Sequence, residues 1–204
     1  MSRCDTARVV IVDAGGANFA SVQAAFERLG AESCVSSDRG RIAEATHLVL
    51  PGVGAAPAGM ARLREARLDD FLPQTTQPLL GICLGMQLLF ERSEEGDTAC
   101  LGLLPGTVRR LRRSPGRRVP HMGWNRLRTR GADALGEGMD ESYAYFVHSY
   151  AAPAASGETV AECEHGESFA ALVACGRLCG VQFHPERSAA AGARLLRNFL
   201  ERRA

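Results

Sequence analysis

The sequence predicts an α/β fold, with a mostly parallel central sheet flanked by helices and a β-rich insertion. Three observations carry this reading. Continuous aliphatic runs at 8–12, 46–50 and 77–80 alternate with amphipathic segments at 18–30 and 56–71. Between residues 100 and 182 strand patterns dominate. The chain has 204 residues and 46% hydrophobic content, which suits a single domain over 1–204 with a sizeable core.

The run Arg8-Val9-Val10-Ile11-Val12 is β-branched and continuous after Arg8, as suits a buried parallel strand. Asp13-Ala14-Gly15-Gly16-Ala17-Asn18 follows as a turn, and Asn18 can cap the next helix. There Val22, Ala25, Phe26 and Leu29 share one face, and Gly30 ends the helix. A strand, a glycine turn and a helix also open a dinucleotide-binding module, a non-enzymatic alternative. The glycine spacing does not fit that motif, and no acidic residue closes a second strand. The strand at 46–50 runs into Pro51-Gly52-Val53-Gly54, a loop whose N–H groups can point at a ligand. The Gly52–Val53 peptide can present either its N–H or its C=O there. Residues 56–71 read as helix, with Met60, Leu63, Ala66 and Leu68 on a partly apolar face.

The next stretch carries chemistry. After 77–80 comes Gly81-Ile82-Cys83-Leu84-Gly85-Met86-Gln87, with Leu88, Leu89 and Phe90 expected to continue as helix. Gly-x-Cys-x-Gly is a nucleophile elbow with thiol in place of hydroxyl. Glycines on either side let the chain fold tightly around Cys83. A thiol at a helix N-terminus is stabilised as thiolate. Gln87 lies one helical turn on, facing the same way. Residues 91–96 read as a polar exit. The six arginines at 109, 110, 112, 113, 117 and 118, around Ser114-Pro115-Gly116, read as a solvated hairpin.

A thiolate needs a base, and the base an orienting group. Strand-like residues 178–183 end at His184-Pro185-Glu186, where Pro185 stops the strand and Glu186 can hold the imidazole. His148, in Tyr145-Phe146-Val147-His148-Ser149-Tyr150, competes as base but lacks an adjacent carboxylate. Trp124, the sole tryptophan, is either core or an interface anchor. Residues 190–203 form an amphipathic helix through Leu195, Leu196, Phe199 and Leu200.

Gly-Ile-Cys-Leu-Gly-Met-Gln together with Phe-His-Pro-Glu resembles the class I (triad) glutamine amidotransferases, whose fold is flavodoxin-like. Leu50-Pro51-Gly52-Val53-Gly54, Val119-Pro120-His121-Met122-Gly123-Trp124-Asn125 and residues 145–150 narrow the resemblance to the glutaminase subunits of imidazole glycerol phosphate synthases. The resemblance implies Cys83, His184 and Glu186 as catalytic triad. It implies an oxyanion hole at Gly52, Val53, Gly54 and Leu84. Glutamine would meet Gln87, Glu95, His148, Ser149 and Tyr150. Asn18, His121, Trp124 and Asn125 would face a cyclase subunit that uses the ammonia. The chain departs from the family at Ala14 and Ala17, where an aromatic and a glycine are usual. The glutaminases of anthranilate synthase and pyridoxal phosphate synthase are the near alternatives. The former usually have His where Met86 stands, and neither has His-Met-Gly-Trp-Asn.

Composition narrows the partners. A net charge of +1 gives no basis for nucleic-acid binding. No apolar run approaches the roughly 18 residues that span a membrane. Seven cysteines at irregular spacing fit a reduced, cytoplasmic chain without a secretory segment. Cys175, Cys179 and His184 make a poor metal set, since no second Cys pair accompanies them. No metal or other cofactor is implied.

Overall fold

The computed structural model describes residues 8–15, 18–113 and 116–203. Gly16, Ala17, Ser114 and Pro115, named above, lie outside them, as does Cys4, one of the seven cysteines. The chain begins with β1 (Arg8–Val12), α1 (Phe19–Glu27), β2 (Glu32–Ser36), α2 (Arg39–Ala43) and β3 (His47–Gly52). As expected, Asn18 caps α1, its side chain accepting from Ser21 N at 3.3 Å. β2 and α2 are not apparent in the sequence pattern. Next come α3 (Ala56–Glu65), β4 (Leu79–Cys83) and α4 (Leu84–Gln87). Ala55 gives α3 no side-chain cap, and Glu95 supplies one from afar, accepting from Ala56 N at 2.8 Å.

The helix after Cys83 is shorter than expected. Leu88 is its C-cap, and Phe90 already begins β5 (Phe90–Ser93). Then follow β6 (Thr98–Ala99), β7 (Leu104–Arg110), β8 (His121–Arg126), β9 (Arg128–Thr129), β10 (Tyr143–His148) and β11 (Tyr150–Ala151). The last elements are β12 (Thr159–Glu164), β13 (Ser168–Cys175), β14 (Leu178–Val181) and α5 (Ala189–Leu200). The arginine-rich hairpin does not form among the described residues. β7 pairs in parallel with β5 and antiparallel with β11, not with the chain that follows it.

The main sheet has the order β2-β1-β3-β4-β14-β13-β12-β9. β2 to β14 are parallel neighbours, and β13, β12 and β9 add on antiparallel. Alternation along the strands sorts the core into two layers. Val9, Ile11, Val49, Leu80 and Ile82 pack on one face with Val22 and Phe26 of α1 and Leu195, Leu196 and Phe199 of α5. Val10, Val12, Leu48, Leu50 and Leu79 pack on the other with Ile42, Met60, Leu63 and Leu84. β8 and β10 form a separate two-stranded sheet, and β11-β7-β5-β6 a third. No helix among the described residues is long and apolar enough to cross a membrane.

The elbow is pressed against β3. A Cβ on Gly85 would stand 1.7 Å from the Leu50 carbonyl oxygen, and one on Gly81 2.6 Å from Met86 N. Gly85→Ala is therefore expected to cost about 3 kcal/mol or more by denaturant titration. Gly30 has φ +76 but nothing within 4 Å of a Cβ, so Gly30→Ala should cost only about 1 kcal/mol. Equal costs would show that the elbow does not need this close approach.

Candidate active site

β4 delivers Cys83 to the edge of a cleft of about 390 Å³. The residue is the N-cap of α4 and has φ 53, ψ −110. A side-chain-bearing residue at positive φ is strained, and such strain gathers at functional sites. Its two glycine neighbours hold it there by packing rather than by φ, since neither has a left-handed backbone.

His184 arrives from the next parallel strand. β14 and β4 are in register, Gly180 beside Gly81 and Val181 beside Ile82, so both chains run off the same sheet end. The turn after β14 is braced: His184 N donates to Tyr145 O at 3.0 Å, and Ser188 Oγ donates to His184 O at 2.7 Å. His184 Nδ1 lies 2.9 Å from Glu186 Oε1, which leaves Nε2 for Cys83. Burial alone would lower the imidazole pKa. Hydrogen bonds and charges from Cys83 and Glu186 overcome that and raise it to about 10. The imidazole is thus held as imidazolium beside the Cys83 sulfur.

Val53, Gly54 and Leu84 line the same cleft. Among the described residues the backbone N–H groups of Val53 and Gly54 have no acceptor, so donors are free on the cleft wall beside Cys83. Gly54, at φ +94, and not Gly52, is the left-handed residue of the loop. Gly52 is glycine for space: a Cβ would meet Gly85 N at 2.9 Å.

The structure also brings Gln87, Glu95, His148, Ser149 and Tyr150 to the cleft. One carboxylate oxygen of Glu95 is held by Ala56 N, and the other is free of hydrogen bonds among the described residues. Gln87 spends both amide hydrogens, on Tyr150 O at 2.8 Å and Gln182 Oε1 at 3.0 Å, so it can only accept from a ligand. His148 has no spare nitrogen. Nδ1 donates to Tyr150 O at 2.9 Å, and Nε2 accepts from His121 Nδ1 at 3.0 Å. Burial first, then the neighbouring imidazole of His121, push its pKa down to about 3. It is a neutral strut, which removes it as the competing base.

Of the residues expected to face a partner, Trp124 is 53% exposed, whereas His121 is 4% exposed. His121 is a correction: its side chain points inward and accepts from Asn125 Nδ2 at 3.2 Å, an effect of strand alternation in β8. Met122 and Trp124 instead occupy the outer face, paired across to Val147 and Tyr145 of β10. Val147 also lines the cleft, so this apolar face reaches the cleft mouth. Asn18 lines the cleft as well. Gln182, fully buried beside Cys83, was not singled out by sequence; its only signal is a polar residue at the end of an otherwise apolar strand.

Residues 10–202 match the family described as glutamine amidotransferase class-I. The chain is 57% identical over 194 residues to "Imidazole glycerol phosphate synthase subunit HisH" of Xanthomonas campestris pv. campestris (strain 8004), covering 95% of this chain and 96% of that one. It is 56% identical, with the same coverage, to the protein of that name from Xylella fastidiosa (strain Temecula1 / ATCC 700964). Among solved structures it resembles a crystal structure of glutamine amidotransferase, with TM-score 0.74 and 23% identity over 95% of this chain and 97% of that one. It also resembles PurLQS from Thermotoga maritima, with TM-score 0.67 and 18% identity over 96% and 98%.

The raised His184 pKa has a consequence for stability. The folded value, about 10, lies above the ordinary 6.5. The stabilisation is therefore complete below 6.5 and is lost as pH rises through the folded value. Wild-type melting temperature should fall from about pH 7 to about pH 10, and Glu186→Gln should flatten that fall by removing one cause of the raised value. Identical pH profiles for the two proteins would show that Glu186 does not hold the imidazolium.

Proposed function

Because the chain belongs to the class-I glutamine amidotransferase family, we propose that it is the glutaminase subunit of an imidazole glycerol phosphate synthase. It hydrolyses glutamine and passes the ammonia to a separate cyclase subunit, which forms imidazole glycerol phosphate and aminoimidazole carboxamide ribotide. We read residues 1–204 as one glutaminase domain working in the cytoplasm. The observation that carries the reading is the meeting of Cys83, strained at the elbow, with a His184 imidazole fixed by Glu186 at 2.9 Å.

The Cys83 thiolate attacks the side-chain amide carbon of glutamine, and the carbonyl electron pair moves to oxygen. The N–H groups of Val53 and Gly54, with that of Leu84, on the wall that Gly52 shapes, stabilise that oxyanion. His184 then gives its proton to the departing nitrogen, and ammonia leaves as the C–N bond breaks. Water attacks the thioester, His184 takes its proton, and the sulfur departs with the bonding pair, which releases glutamate. These steps are complete without metal or organic cofactor. The free oxygen of Glu95 takes the substrate α-amino group, and Gln87 accepts from the bound amino acid. Ser149 and Tyr150 border the substrate, and His148 buttresses that edge.

The outer face of β8 and β10 docks the cyclase subunit. Met122, Trp124 and Tyr143 are 64%, 53% and 57% exposed, an apolar cluster of the kind that anchors an interface. Its continuity with the cleft through Val147 offers ammonia a short path to the partner. Asn18 lines the cleft itself, whereas Asn125 shares the inward side of β8 with His121, its amide spent on His121 Nε2 and Glu164 O, and so lies off this face.

Cys83→Ala should lower glutamate release at least about a thousandfold, while its complex still makes product from ammonium salt. His184→Ala should cost nearly as much, and Glu186→Gln less. Wild-type turnover by any of these would remove that residue from the machinery.

The lone subunit should be nearly silent. Glutamate release is expected to rise at least about a hundredfold when cyclase subunit and precursor nucleotide are both present, as the 52–54 loop settles with its donors inward. Equal kcat for subunit, complex and liganded complex would exclude such a switch. Trp124→Ala should weaken the complex by about 2 kcal/mol or more with the denaturation midpoint of the lone chain unchanged. A large loss of stability would make Trp124 a core residue instead.

A further inference from the structure

The polar side chains behind Cys83 form a chain of hydrogen bonds with only one possible direction. It starts at the Tyr150 carbonyl, which can only accept. That oxygen takes one hydrogen of Gln87 Nε2 at 2.8 Å, and His148 Nδ1 fills its other lone pair at 2.9 Å. The second hydrogen of Gln87 Nε2 goes to Gln182 Oε1 at 3.0 Å. Gln182 Nε2 must then face the other way, and it stands 3.7 Å from Cys83 Sγ. Turning either amide over would set carbonyl against carbonyl at Tyr150, or two NH₂ groups against each other. A backbone atom thus fixes the orientation of a donor two side chains away.

On another side of the sulfur lies a group of opposite character. The Val147 carbonyl oxygen is 4.0 Å from Cys83 Sγ. It can accept from a thiol but repels a thiolate. Gln182 does the reverse. It is fully buried, so its N–H is not exchanged for water and acts on the sulfur in a low-dielectric setting. Burying an amide among apolar neighbours costs free energy unless its hydrogen bonds are made. Here all but one of the bonds lead away from the substrate, and that one ends on the reacting atom.

We propose that Gln182 is a further catalytic group, an amide donor aimed by Tyr150 O and Gln87 at the Cys83 sulfur, where it stabilises the thiolate. This rests on Cys83 being the nucleophile. The donor matters twice in the reaction. In the resting enzyme it favours ionised sulfur over the thiol that Val147 would hold. In thioester hydrolysis, water oxygen bonds to the carbonyl carbon, the C–S bond breaks, and sulfur leaves with the electron pair. Gln182 meets that pair as it forms, so its loss slows deacylation as well as lowering the thiolate fraction.

The test measures iodoacetamide alkylation of Cys83 in the full chain, followed by mass spectrometry of its peptide across pH, so that Cys34 and Cys175 do not interfere. Gln182→Leu keeps volume and removes the donor. At neutral pH its Cys83 alkylation should fall about tenfold, with the alkylation midpoint moved to higher pH. With cyclase subunit present, the Cys83 thioester should accumulate and kcat should fall more than kcat/KM. Should Gln182→Leu not fold, Gln87→Met tests the same chain. It frees Gln182 to turn over, and a smaller alkylation loss in the same direction is expected. Alkylation profiles equal to wild type in every folded variant would overturn the role of Gln182. Wild-type chain that releases no glutamate with its partner would instead overturn the glutaminase reading itself, since alkylation does not depend on turnover.

Discussion

Everything in this site hangs on how near the Gly85 backbone comes to the Leu50 carbonyl. No residue with a Cβ fits in that gap. Because α4 sits directly on β3, the chain leaving β4 has no room to turn gradually. Cys83 absorbs the turn in a left-handed conformation, a strain of order 1–3 kcal/mol. Packing of Leu84 and Met86 into the layer beneath offsets it. The same contact sets Gly52 beside Leu84, so the nucleophile and the free amides of the loop are positioned by one backbone approach. Cys83 and His184 are thereby held at the ends of packed neighbouring strands.

Electrostatics complete what packing begins. Three imidazoles lie near one another, yet they hold different charges. His184 is drawn toward the imidazolium by its hydrogen bonds to Cys83 and Glu186, whereas burial keeps His121 and His148 neutral, with pKa values of about 4 and about 3. The two neutral rings pass donor direction from Asn125 through to Tyr150 O. A charge on either ring would break that direction and repel the imidazolium at His184. The difference in environment assigns the roles.

Sequence made the local devices legible and left the long-range ones hidden. Cys83 between glycines and His184-Pro185-Glu186 declare themselves because each is a few adjacent residues with a single physical reading. β2 was missed because Glu32-Ser-Cys-Val-Ser has little apolar character, as an edge strand allows. The helix after Cys83 was drawn too long because Leu88, Leu89 and Phe90 suit helix or buried strand equally; tertiary pairing with β7 made Phe90 a strand residue. The arginine hairpin failed because β7 found a better antiparallel partner in β11. His121 and Trp124 stand in one motif but on opposite faces of β8, and the motif alone does not tell which face each takes. Gln182 shows in the sequence only as a polar residue ending an apolar run, since its meaning depends on residues up to 99 positions away.

That separation has a bearing on how the protein is made. β14 is the last of the parallel strands to leave the ribosome, and His184 follows it. It must insert beside β4, whose Cys83 has long since been synthesised, with β13 joining on its far side. Until then the nascent chain carries an elbow cysteine with no base and no amide donor, and it can bind no ammonia-releasing chemistry together. The site is therefore completed last: Cys83 meets His184 and Gln182 only when the sheet has closed around its final parallel strand.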